Sequence, residues 1–247
     1  MRVIRLAPPP TASVRLLAVA GAMLLVGAVA AVLAITGPRG RPDALAILAI
    51  AAAMGLGVGA SMVAEALRSR KRRGNEDLVR LLGPTLTDAY LLLLDPKLAG
   101  IPSDVAALLV GPPGVRALLV RRWIGRYRVR GRGWEYDTHS RRGWIPCITN
   151  PSYEGAAARE ALAVWARVAA DEPNLPLEAA IAFPSKQSHL VLEEPEDEII
   201  TIENAPWWAQ SVGGVQRMDG PRAVRFVQAV MAERAEPSAV RRRARSP

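Results

Sequence analysis

Cysteine occurs once in the 247 residues, at Cys147, so no disulfide can close within the chain and no thiolate cluster can be built to hold a metal. The two histidines, His139 and His189, are single residues without a partner pattern and read as surface or loop positions. GxSxG, a Walker-type phosphate loop and HExxH are all absent, which leaves hydrolase and nucleotide-driven readings without a motif. No acidic residue occurs between Arg116 and Arg132. Cations are abundant by contrast: 32 Lys and Arg against 23 Asp and Glu give a formal charge of +9 and a pI near 10.7, which favours anionic partners without identifying one. Half of the residues are hydrophobic, and they are spread unevenly.

Two runs without a charge, Leu16–Thr36 and Ala44–Ala64, are 21 residues each. At about 1.5 Å per residue either can cross a hydrocarbon core of about 30 Å. Residues 16–36 and 44–65 are therefore expected to be transmembrane helices in the lipid bilayer, joined by a tight turn at 37–43 and running antiparallel in contact. Arg2, Arg5 and Arg15 precede the first span and Arg68, Arg70, Lys71, Arg72 and Arg73 follow the second, against Arg39 and Arg41 in the turn. The positive-inside rule then predicts a two-pass protein of the cell membrane with both termini cytoplasmic, residues 1–15 forming the N-terminal segment. A cleaved signal peptide is the rival for the first span, but its apolar region runs to only about 7–15 residues. Gly55 and Gly59 form a GxxxG pair whose expected partner is the first span, with a helix-mediated homo-oligomer as the alternative. The basic linker 66–77 serves as a topology signal and can also meet anionic headgroups.

Residues 78–235 read as one α/β domain, a mixed central β-sheet flanked by helices. Apolar spacing predicts a first helix that begins properly near Pro84 and ends at Asp95-Pro96. The runs 105–110 and 115–120 form a hairpin of central strands across Gly111-Pro112-Pro113-Gly114. Residues 125–130 alternate as a third strand, and 133–147 make an outer hairpin or a covering loop. Asn150 caps and Pro151 opens a helix running to about Ala170, with Ala157, Ala161, Val164, Trp165 and Val168 expected on its packed face. Strands follow at 177–183, 190–192 and 199–202, then an Asn204-capped helix holding Trp207 and Trp208 as packing residues, and a last helix at 222–234. The Pro, Ala and Arg-rich tail 236–247 is expected to be disordered.

The series Asp104 to Pro112, Gly114-Val115, Arg121 to Tyr127 and Asn150-Pro151, taken together, resembles the nuclease-related domain (NERD) family over about residues 78–212. That family is similar to the PD-(D/E)xK nucleases, and the resemblance implies a restriction-endonuclease-like fold. The family has an Asp opening one strand, Glu-x-Lys on the next, an acidic residue on the first helix and Asn-Pro-x-x-Gln at a later helix. Asp104 matches the first of these. Leu119-Val120-Arg121 stands at Glu-x-Lys, Thr85 at the helix acid and Glu154 at the Gln. A nuclease Mg²⁺ is a hard cation held by two or more carboxylates, so the resemblance implies a degenerate, catalytically impaired centre with Asp104, Arg121 and Glu154 as its vestiges. Asp104 as a strand-opening residue that caps local amides, and Glu154 as a carboxylate at a helix dipole, are the plainer readings.

The remaining chemistry is positive. Arg121, Arg122, Arg126, Arg128 and Arg130 are interleaved with Trp123 and Tyr127, the ingredients of a surface that grips phosphate and stacks bases, while a solvated strand face is the plain alternative. The expected function is a membrane-anchored cytoplasmic domain that binds DNA or RNA, or a protein partner. No cofactor is expected; Mg²⁺ enters only under the alternative of an active nuclease with rearranged ligands, for which Asp88, Glu135, Asp137 and the cluster Glu193, Glu194, Glu196, Asp197 and Glu198 are the acids at hand, although none has ligand spacing on a predicted element and the cluster reads most simply as a solvated loop. A further alternative is a structural or signalling membrane protein that binds no nucleic acid.

Overall fold

The computed structural model of the protein describes residues 1–6, 14–36, 42–138 and 143–235. Its chain divides into two compact units, one of residues 9–73 and the other of residues 1–8 with 74–247.

The smaller unit holds helix α1 (Val14–Thr36) and the first part of helix α2 (Pro42–Leu82). Within them Ala18–Thr36 and Ala46–Val63, of mean hydropathy 2.6 and 2.1, are long and apolar enough to cross a membrane. Leu25, Ile35, Ile47 and Met54 point outward and are exposed. A Cβ added to Gly55 would lie 2.7 Å from the Cα of Gly27 and 2.9 Å from the Met23 carbonyl oxygen, so the two helices touch backbone to backbone there. Gly59 packs on Leu24. Gly55 and Gly59 are thus occupied within the chain, by the first span.

The larger unit is built on a six-stranded mixed sheet of order β1-β2-β3-β4-β8-β10. Its strands are β1 (Arg2–Arg5), β2 (Leu91–Leu94), β3 (Val105–Gly111), β4 (Gly114–Val120), β8 (Leu177–Phe183) and β10 (Glu198–Thr201). All seven residues of β3 are buried, because helices cover both faces of the sheet and a strand between two layers has no polar side. On one face α3 (Pro151–Ala169) and α5 (Gly220–Ala235) pack Leu162, Trp165, Phe226 and Val230 onto Leu108, Val110, Val115 and Leu119. On the other, Leu78 and Leu82 of α2 and Trp208 and Val212 of α4 (Ala205–Gly213) pack onto Leu92, Leu109, Leu118 and Ile200. A second, four-stranded sheet has order β7-β6-β5-β9, from β5 (Gly125–Gly131), β6 (Gly133–Asp137), β7 (Trp144–Pro146) and β9 (Ser188–Pro195). Val129 and Trp134 of this sheet join Ile181, Phe183 and Ile199 of the first in a separate small core.

Several elements differ from the expectations above. No helix begins at Pro84. Residues 66–77, expected as a linker, are helical within α2, which ends at Leu82 where Gly83-Pro84 removes the next helical donor. Leu91–Leu94 is then a strand, buried between β1 and β3, rather than the end of a helix. Residues Arg2–Arg5 do not trail freely. They form the edge strand β1, parallel to β2 from Arg2–Leu91 to Arg5–Leu94, and Arg5 makes a two-armed ion pair with Glu76 at 3.0 Å.

The face of α3 is also rotated from the expected one. Gly155, Ala158, Leu162, Trp165 and Ala166 are buried, while Val164 and Val168 are 49% and 66% exposed. Its cap is as expected: the Asn150 side chain accepts from the Ser152 amide at 3.0 Å with Pro151 next, and its Nδ2 donates to the Arg132 carbonyl. Asn204 precedes α4 without capping it, its side chain turned back to the Thr201 amide and the Ile199 carbonyl. Trp208 is buried as a packing residue, whereas Trp207 is exposed.

Candidate functional site

Strand β4 carries the residues that matter most. It is antiparallel to β3, with Val105 opposite Leu119, and parallel to β8, with Leu119 opposite Ile181. Asp104, one residue before Val105, therefore lies beside the end of β4, where Arg121 leaves the sheet with its amide bonded to the Ala182 carbonyl at 2.8 Å. Alternation along β4 sends Leu119 and Arg121 to the α3 side. Leu119 is 1% exposed in that core. Arg121, with its side chain 15% exposed, reaches the first turn of α3 and forms an ion pair with Glu154. Burial lowers the Arg121 guanidinium from its ordinary value, and the nearby Asp104 carboxylate opposes that shift. An arginine stays protonated through such a change.

The structure thus pairs Arg121 with Glu154, leaves Asp104 exposed near the end of β4, and keeps Leu119 in the core. Thr85 is elsewhere. Its hydroxyl donates to the Leu82 carbonyl at 3.0 Å, in a cleft of about 380 Å³ lined by Asp77, Arg80, Pro184, Lys186 and Pro206. The residues at the Arg121 pocket do not fit a divalent ion. Mg²⁺ demands a near-octahedral shell of oxygens. Here Glu154 is already paired with the Arg121 guanidinium, and like unit charges about 4 Å apart repel by about 4 kcal/mol at an effective dielectric near 20, twice that for a divalent ion. Among the described residues no three His, Cys, Asp or Glu side chains gather in a way that could hold a metal.

The arginine series lies mainly on the second sheet, and each member that the structure describes meets a carboxylate. Arg126, Arg128 and Arg130 share one face of β5. Arg128 bonds Glu135 at 2.7 Å across the β5–β6 pairing, Arg126 approaches Asp137 at 3.4 Å and Arg130 bonds Glu193 on β9 at 2.8 Å. Arg132 meets Glu196 at 2.7 Å and Arg122 meets Asp77 at 3.1 Å. Arg116 is buried under α4 with both arms on Glu198, at 2.8 and 2.9 Å. Arg126 and Arg128 also lie over the Trp144 ring, 5.9 and 4.9 Å from its centre. His139, Arg141 and Arg142 lie outside the described residues.

The interleaved aromatics pack with one another. Trp123 contacts Tyr127, Trp134 and Phe183 at ring distances of 5.0–5.8 Å, Trp134 stacks on Phe183, and the Trp134 indole donates to the Ser152 hydroxyl at 2.8 Å. The cluster Glu193–Glu198 is more than a solvated loop: it joins β9 of one sheet to β10 of the other and supplies partners to Arg116, Arg130 and Arg132. Reading the arginines alone missed these acids, although one signal for them was present. The tight Gly131-Arg132-Gly133 turn sets residue 128 against 135, so Glu135 and Asp137 repeat with the same period and on the same face as the arginines.

In comparison with known proteins, no protein-family model, no curated protein and no solved structure matches the chain.

Proposed function

We propose that this chain is a membrane-anchored cytoplasmic recognition domain on a NERD-like, restriction-endonuclease-like frame, catalytically impaired, and that it takes a protein partner in preference to nucleic acid. The observation that carries this reading is the internal pairing of the arginine series: a phosphate backbone would have to displace carboxylates from Arg122, Arg126, Arg128, Arg130 and Arg132 one by one. Counterion release drives nucleic-acid binding only where cations are free to neutralise phosphates. The mixed sheet between helical layers is compatible with the frame implied by the residues from Asp104 to Tyr127, and the Arg121 ion pair stands where a nuclease needs carboxylates.

Connectivity supports this topology. Residues 2–5 and the chain from Gly74 onward belong to one folded unit, so a spanning hairpin has to deliver both its ends to the same side of the bilayer. The excess of Lys and Arg at those ends assigns that side to the cytoplasm.

The test uses the full chain in nanodiscs. Expected are no Mg²⁺- or Mn²⁺-dependent cleavage of DNA or RNA, and no nucleic-acid binding whose affinity falls steeply between 50 and 200 mM salt. Cleavage lost on Asp104→Ala would establish the active-nuclease alternative. Salt-steep binding lost on Arg126→Ala/Arg130→Ala would establish the nucleic-acid one.

A further inference from the structure

Strands β4, β8 and β10 run parallel, with Val120 beside Ala182 and Phe183 beside Thr201, so all three end at the same edge of the large sheet. Crevices outside the carboxyl ends of parallel strands are where open α/β sheets take their ligands. The Thr85 cleft, about 380 Å³, lies at this edge, between the segments that follow β8 and β10 and the last turns of α2. That volume is within the range of about 300–1,000 Å³ that buries a small ligand or a few side chains.

The walls of the cleft divide by chemistry. Leu81, Pro84, Pro184, Ile202 and Pro206 are apolar, while Arg80 and Lys186 line it as cations and Asp77 as a carboxylate. That carboxylate is committed elsewhere. Arg122, arriving from the end of β4, holds it at 3.1 Å, whereas Arg80 stands 4.0 Å from it with its side chain 82% exposed. Lys186 is exposed and meets no carboxylate among the described residues. The arginines of the second sheet are neutralised one by one; here positive charge is left in excess over an apolar floor. A phosphate or a headgroup would meet the two cations and leave the apolar walls uncovered, and a nucleic-acid strand would find no continuing row of free cations, since Arg122 is paired. An acidic side chain next to an apolar one in a peptide uses both parts of the cleft, charge for steering and register and the apolar group as anchor. Trp207, next in the chain to Pro206, is 70% exposed, and tryptophan is the residue type that carries most contact energy at protein interfaces.

We infer that this cleft docks an acidic segment of a protein partner, with an apolar side chain of that segment seated among Leu81, Ile202 and the three prolines and its carboxylates on Arg80 and Lys186. This rests on the proposed preference for a protein partner and adds the surface and the partner's charge.

The probe is a fluorescein-labelled peptide with Asp and Glu on both sides of a single Leu, titrated by anisotropy against the full chain in nanodiscs of neutral phosphatidylcholine. Expected is saturable binding that weakens as salt rises, because exposed pairs are screened. Arg80→Glu/Lys186→Glu reverses two exposed charges and should weaken binding by about tenfold or more with the urea midpoint unchanged. Should that double variant disturb folding, Lys186→Ala alone should weaken binding several-fold. Ile202→Asp should weaken it as well, as should Ser in place of the peptide's Leu, and the same peptide with Lys at every acidic position should not bind. No saturable binding of the acidic peptide, or binding that the charge variants leave unchanged, overturns the docking site and leaves the preference for protein over nucleic acid intact. Binding of anionic vesicles that competes with the peptide and is lost in Arg80→Glu/Lys186→Glu gives the cleft to lipid phosphate and also overturns it. DNA or RNA binding lost in the same variant overturns both the docking site and the preference for a protein partner.

Discussion

Removing Glu198 alone from the Arg116–Glu198 pair should cost far more than removing both partners. Arg116 sits on β4 with its side chain 8% exposed, reaches across β8, and places Nε and Nη2 on the two oxygens of Glu198 at 2.8 and 2.9 Å; the Trp208 indole adds a third donor at 3.1 Å. Glu198→Ala leaves the guanidinium among Leu118, Leu109 and the α4 tryptophan without a counter-charge. Broken buried pairs cost about 3–5 kcal/mol. Because the Glu198 side chain is itself 30% exposed, part of its charge was already hydrated, and the lower end, about 3 kcal/mol, is expected. Arg116→Met fills the space with an apolar stem and leaves a carboxylate that can turn to water, at about 1–2 kcal/mol. The double variant Arg116→Met/Glu198→Leu removes both charges and should lie within about 1 kcal/mol of wild type, so the coupling exceeds about 2 kcal/mol. All six tryptophans fall between Trp123 and Trp208 and none in the apolar helices, so fluorescence during urea unfolding of the detergent-solubilised full chain reports the α/β unit alone. With slopes of about 1–3 kcal/mol/M, Glu198→Ala should lower the midpoint by about 1 M or more. Additive single variants, with coupling below about 0.5 kcal/mol, would refute the claim that this pair is a buried, mutually dependent unit.

Arg225 and Arg222 hold the Glu172 carboxyl below its ordinary value, so its contribution to stability is complete above the unfolded carboxylate range and is lost as pH falls through the lower folded value; melting of Glu172→Gln against pH should lack that acid-side loss. In the hairpin, Gly55→Leu inserts a side chain where the Gly27 backbone already lies 2.7 Å from a Cβ, and pulsed EPR between labels on α1 and α2 should show the helices moved apart. Asn150→Ala removes the α3 cap and the bond to the Arg132 carbonyl, and should destabilise the α/β unit by about 1–2 kcal/mol in the same urea assay. Arg128→Ala removes the pair with Glu135 and the cation over Trp144; a loss near 1 kcal/mol with a change in Trp144 emission is expected, and no change in either would show that the stacking adds nothing.

Where one local pattern decides an element, the sequence was sufficient. The two uncharged runs, the β3–β4 hairpin around Gly111–Gly114, strand Leu177–Phe183 and the Asn150-Pro151 start of α3 all stand where residue spacing and turn chemistry put them. Leu91–Leu94 was misread because four leucines suit either a helix end or a strand buried on both sides, and only pairing with β1 and β3 chooses between them. The packed face of α3 was misread for a related reason. Its alanines and valines offer two apolar stripes about 100° apart, and the side that meets β4 and β8 is set by the sheet. Strand β1 could not be anticipated, since a four-residue segment gains strand structure only from a partner 89 residues away.

The sequence by itself determined what depends on length, charge and local spacing: two helices long and apolar enough to cross a membrane, an α/β domain after them, and a residue set around Asp104 poor in carboxylates. Only the tertiary structure decided how the charges are used. Ion pairs here join the end of β4 to α3, β5 to β6 and β9, and β4 to β10, and of these the pairings to β9, β10 and α3, distant in sequence, leave no trace in the run of arginines that first draws the eye. That is the physical reason a stretch that looks like an open basic surface is, when folded, a neutralised one.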